Sequence, residues 1–72
     1  MLKDVADRVF TELTEAGYSP RLHEPQDEGG AFEISLRGHE FDIDDFKTMV
    51  RIAENFGVGL GLDENGWIRL KG

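Results

Sequence analysis

Apolar residues at positions 2, 5, 6, 9, 10 and 13 open the chain with the i, i+3, i+4, i+7 spacing of a single helical stripe. Lys3, Asp4, Asp7, Arg8, Glu12 and Glu15 occupy the other side, so the pattern predicts an amphipathic helix over residues 2–16. Gly17 suits the left-handed C′ position, Tyr18 is the apolar residue that often follows it, and Pro20 prevents continuation. Residues 20–24 (PRLHE) read as a short edge strand, where a leading proline is tolerated. The next stretch, PQDEGG, has no period and two glycines, which predicts a loop.

Alternation begins at residue 32. Phe32, Ile34 and Leu36 alternate with Glu33, Ser35 and Arg37, the period of a half-buried strand. A two-residue Gly38-His39 turn would set Leu36 against Phe41 and Ile34 against Ile43, with every apolar residue on one face. That register puts Arg37 opposite Glu40 and Ser35 beside Asp42 on the outer face. A second helical stripe follows through Phe46, Met49, Val50, Ala53 and Phe56, with Asp44 expected as N-cap, Asp45 in the first turn and Gly57 at the end.

The segment GVGLGLDENGWIRLKG reads as a second hairpin. A two-residue Asn65-Gly66 turn would pair Leu62 with Arg69 and mix the faces. A three-residue loop of Glu64, Asn65 and Gly66 instead pairs Leu62 with Ile68 and Leu60 with Leu70, with glycine at the αL bulge position. Asp63, Trp67 and Arg69 then point outward beside Gly59 and Gly61, with the indole expected as a cover for those two glycines. The elements run α-(β)-β-β-α-β-β. They predict a single α+β domain over residues 1–72: a two-layer sandwich with an antiparallel four- or five-stranded sheet and two helices on one face.

Charge adds a second layer to this picture. The chain carries a formal −7. Residues 24–45 hold eight acids and one base, while the other 50 residues hold seven of each. That balance disfavours direct binding to nucleic-acid phosphates or anionic lipid. No apolar run approaches the ~20 residues of a membrane span. The amino terminus lacks the pattern of a signal peptide, so a cytoplasmic location is expected. No cysteine is present to build a disulfide, a zinc thiolate site or a thiol nucleophile.

Candidate chemistry is sparse. GHEFDIDDF (38–46) collects one histidine and four carboxylates, but Phe46 stands where a calcium loop needs its third ligand. Neither His-Glu pair continues as H-E-x-x-H. Ser35 has no neighbouring base in the sequence beyond His39, and no serine, histidine and acid fall into a triad. Gly57, Gly59 and Gly61 follow a helix and precede a strand, the reverse of a dinucleotide fingerprint. No cofactor, metal site or catalytic group is expected, with a divalent-cation binder as a minor alternative.

The order helix, three strands, helix resembles the double-stranded RNA-binding domain in outline. Asp44 and Asp45 stand where that family carries a basic patch, so the resemblance does not imply RNA binding. In bulk character (small, acidic, without cysteine) the chain is similar to phage-encoded inhibitors such as anti-CRISPR and anti-restriction proteins. The functional expectation is a non-enzymatic protein-binding module. Glu33, Glu40 and Asp42 would supply an acidic field on the open sheet face, with Arg37 beside them and Trp67 and Arg69 as anchor. The partner would carry a basic surface, and in the sharper form the chain would mimic a nucleic acid. A housekeeping or assembly protein forming a homodimer through the Trp67 face is the alternative.

Overall fold

The computed structural model describes residues 1–27, 29–38 and 41–72. Its two helices, α1 (Lys3–Glu15) and α2 (Ile43–Asn55), end in the same way. Gly17 takes φ +98°, and the N–H groups of Gly17 and Tyr18 donate to the carbonyls of Thr14 and Leu13. Gly57 takes φ +66°, and Gly57 and Val58 donate to Glu54 and Ala53. Both are Schellman closures, which satisfy terminal carbonyls and require a residue that tolerates positive φ.

Four strands complete the fold: β1 (Arg21–His23), β2 (Glu33–Arg37), β3 (Gly59–Leu62) and β4 (Trp67–Lys71). They form one antiparallel sheet in the order β1-β2-β4-β3. The expected hairpin register of β3 and β4 is present, with Leu62 opposite Ile68, Leu60 opposite Leu70, and Gly66 at φ +79° in the three-residue loop. Across the sheet, Leu22, Ile34, Leu70 and Leu60 form one inward row, and Leu36, Ile68 and Leu62 another.

Both helices cover the inner face, α1 against β1 and β2 and α2 against β3. The fold is the α+β two-layer sandwich that the patterning predicts. Ala6, Val9 and Leu13 of α1 and Met49, Ile52 and Ala53 of α2 meet Ile34, Leu36, Ile68 and Leu70 in a single core. Among the described residues no helix is long and apolar enough to cross a membrane.

The expected first hairpin does not form. Phe41 and Asp42 lie outside any strand, and Ile43 is the first residue of α2, 68% exposed instead of facing inward. β2 takes the short PRLHE strand on one side and β4 on the other, a five-pair ladder with β4. That ladder sets Leu36 on Ile68 and Ile34 on Leu70, two fully buried apolar pairs. The N-cap of α2 is correspondingly Asp42, not Asp44. Asp42 Oδ1 accepts from the Asp45 N–H and Asp45 Oδ2 from the Asp42 N–H, a reciprocal capping box. The expected turn at His39 and the pairing of Arg37 with Glu40 lie outside the described residues.

Candidate binding face on the open side of the sheet

Strand alternation sends every second residue to the face that no helix covers. The ladders set Arg21, Ser35, Arg69 and Gly61 in one outward row, His23, Glu33, Lys71 and Gly59 in the next, and Arg37 beside Trp67 at the far end. Asp63, just past β3, closes the hairpin on the same side.

Trp67 is half-buried between two cations. The guanidinium carbons of Arg21 and Arg37 lie 5.4 and 5.5 Å from the centre of its ring system, within the range of cation–π attraction. Gly17, Tyr18, Ser19 and Phe41 join these three residues around an open hollow of about 430 Å³. Tyr18 stacks edge-on against Phe41, with ring centres 5.3 Å apart, and its hydroxyl donates to Asp45 Oδ1 at 2.9 Å. Burial, reinforced by the Asp45 carboxylate, raises the Tyr18 pKa. The N–H of Asp42, helped by the Tyr18 hydroxyl, holds the Asp45 carboxyl below the usual aspartate value. The rim of the hollow is thereby tied to the start of α2.

Arg69 organises the other half of the face. Its Nε donates to Asp63 Oδ2 at 3.0 Å, and its Nη1 lies 3.5 Å from Glu33 Oε2. Asp63 Oδ1 accepts from the N–H groups of Asn65 and Trp67, each at 2.9 Å. The Trp67 N–H is the main cause of a lowered Asp63 pKa, against a partial rise from desolvation and with further lowering from Arg69. Asp63 thereby ties the turn, the Trp67 backbone and the arginine together.

Among the described residues the expected acidic field is not assembled on this face. Glu33 is there, but it is engaged with Arg69, and Asp42 caps α2. Glu40 lies outside the described residues. Asp44 is exposed on α2, and Glu24 and Asp27 belong to the loop after β1. Among the described residues, four cationic side chains (Arg21, Arg37, Arg69 and Lys71) outnumber the two carboxylates of Glu33 and Asp63 on the open side. Charge that is contiguous in sequence is spread over a loop, a strand and a helix start. Of the expected site residues, Glu33, Arg37, Trp67 and Arg69 share the face.

The indole also does not cover the strand glycines. A Cβ on Gly61 would meet nothing within 4 Å, and one on Gly59 only the Lys71 carbonyl at 3.4 Å. Trp67 sits at the opposite end, against β2 and β1.

Sequence reasoning missed two residues. Arg21 reaches Trp67 only because β1 pairs with β2. The single apolar residue of β1, Leu22, already assigns Arg21 and His23 to the outward side. The second is His23, whose Nε2 lies 2.7 Å from Ser35 Oγ. Ser35 is 2% exposed in the middle of a central strand, so this contact satisfies a buried hydroxyl and leaves no approach for a substrate. Among the described residues no group of three metal-binding side chains comes together. Comparison with protein families, curated proteins and solved structures returns no match for this chain.

Proposed function

We propose that this chain is a non-enzymatic binding module that holds a protein partner on the open face of its sheet, with Trp67 as the anchor. The observation that carries the reading is the indole held between Arg21 and Arg37 on a face that no helix covers. Tryptophan and arginine are the residue types that dominate binding hot spots, because both bury large area and keep a polar handle. The cation excess of this side fits a partner patch bearing carboxylates. The basic-surface partner and the nucleic-acid mimic need acids ranged together. With Glu33 engaged by Arg69 and Asp42 by the cap, they draw less support from the geometry. Face-to-face homodimerisation would bring the same arginines together across the interface, a like-charge cost that also lowers its support.

The test is capture of partners on immobilised protein, comparing wild type with Trp67→Ala, Arg21→Glu/Arg37→Glu and Asp44→Lys. The first two variants are expected to lose the captured protein, with affinity for an isolated partner falling at least about 30-fold for Trp67→Ala, the range of a hot-spot truncation. Asp44→Lys is expected to retain it. Loss with Asp44→Lys and retention with the other two would move the site to the acidic start of α2 and overturn this reading.

A further inference from the structure

Among the described residues the outer edge of β3 is unpaired, and it carries neither of two common protections of an exposed strand, charge and proline. Gly59–Leu62 contains no charge and no proline, and none of its residues takes positive φ. The opposite edge, β1, is three residues long and lies between Pro20 and Pro25. The Asp63 N–H donates to the Trp67 carbonyl at 2.9 Å, which fixes the phase of the β3–β4 ladder. By alternation Gly61 and Gly59 exchange hydrogen bonds with β4, and the N–H and C=O groups of Leu60 and Leu62 point outward.

Two observations and one complementarity argument bear on what meets this edge. The first is the pair of glycines. Neither Gly59 nor Gly61 has a positive φ, and open space surrounds the missing Cβ of Gly61, so the folded chain by itself gives no reason for glycine there. Glycine inside a strand is destabilising relative to alanine and often marks the close approach of another backbone. The second is apolar exposure. Of the four large hydrophobic residues left exposed, Leu62 (65%) is on β3, and Ile43 (68%) and Val50 (41%) are on α2, the helix packed over β3.

The third is charge. An antiparallel pairing of β3 with its own copy, centred on Gly61, sets Leu60 opposite Leu62 and Gly59 opposite Asp63 of the second copy. Lys71, the neighbour of Gly59 on β4, then faces that Asp63 across about 10 Å of sheet with no side chain between them. The row occurs twice by symmetry. The two Arg69 residues would stand about 14 Å apart, beyond a Debye length, each already held by Asp63 and Glu33.

We propose that β3 pairs antiparallel with β3 of a second copy of this chain, joining two four-stranded sheets into one of eight strands. The two Gly61 residues form the central non-hydrogen-bonded pair, where Cα atoms approach to about 4.5 Å. The outward groups of Leu60 and Leu62 exchange the flanking hydrogen bonds, α2 lies beside its copy, and the Trp67 face stays open on both halves. This assembly does not depend on the partner reading above, because it uses the edge of the sheet and leaves the face free.

Sedimentation equilibrium between about 1 µM and 1 mM protein reads the association directly. Wild type is expected to be a monomer–dimer mixture in that range. A synthetic chain N-methylated at Leu62, which removes one outward donor and no side chain, is expected to raise the dissociation constant at least tenfold. Lys71→Glu is expected to weaken it less and to abolish part of its salt dependence. Trp67→Ala is expected to dimerise like wild type. A monomer across the whole range would overturn the proposal. So would a dimer indifferent to N-methylation at Leu62, whether or not Trp67→Ala disrupts it.

Discussion

Asp42 and Asp45 each accept the other's backbone N–H at 3.0 Å, and this exchange decides where α2 begins. It converts a stretch that alternates like a strand, Phe41-Asp42-Ile43, into the entrance of a helix. Asp45 also accepts the Tyr18 hydroxyl, so the same carboxylate links the cap to the turn after α1.

Replacing Asp42 with Ala should therefore destabilise the protein by about 1 kcal/mol, the usual cost of a lost N-cap. For a chain of this size, that lowers Tm by roughly 4–8 °C. Asp44→Ala should change Tm little, because Asp44 is exposed and its side chain makes no cap bond. Thermal unfolding of both variants decides between the two cap assignments, and a larger loss for Asp44→Ala would contradict the one described.

Acid should weaken the fold through Asp63 and Asp45. Both carboxyls are held below the ordinary aspartate value of 3.8, so the folded state binds their protons less readily than the unfolded chain does. Their contribution is fully present above that value and is lost as pH falls through the lower folded values. Denaturant unfolding of wild type and Asp63→Asn at pH 7 and then stepwise toward pH 3 should show the gap between them narrowing in acid. A gap that stays constant would mean that the Asp63 charge contributes nothing.

Two glycines should respond in opposite directions. Gly61→Ala meets open space on an extended strand and should stabilise the monomer by about 0.5–1 kcal/mol. Gly38→Ala should destabilise it, because the new Cβ would stand 2.6 Å from the Gly66 carbonyl oxygen, itself the acceptor of the Gly38 N–H. Chemical denaturation at a concentration where the protein is monomeric separates them, and equal effects would refute the contrast.

Folding and binding should separate along β4. Ile68 is fully buried, and Ile68→Ala should cost about 2–5 kcal/mol of stability. Trp67 faces the other way, so Trp67→Ala should keep more of the stability while losing the captured partner. Unfolding curves and capture assays on the two variants check this. A Trp67 variant that unfolds more readily than Ile68→Ala would make the indole a core residue.

Much of the architecture was legible along the chain. The helical stripes, the closures at Gly17 and Gly57 and the register of the second hairpin are local matters, set by periods of 3.6 and 2 and by residues that tolerate positive φ. Residues 41–43 depart from the strand that alternation predicts because two local rules compete there. Alternation favoured a strand, the Asp42–Asp45 spacing favoured a cap, and only the claim of β4 on β2 settled the choice.

The candidate face was less legible for the same reason. Trp67, Arg69, Glu33 and Arg37 could be assigned outward by parity alone, since alternation is a property of each strand by itself. Which charges meet on that face depends on strand order. The β1-β2-β4-β3 order brings Arg21 beside an indole 46 positions away in sequence and gives Glu33 to Arg69. The sequence by itself determined which side of each element is apolar, because side-chain periodicity is local. Tertiary structure decided which charges become neighbours, because pairing between distant strands is chosen by the total apolar surface buried, and a run of acids contributes nothing to that sum.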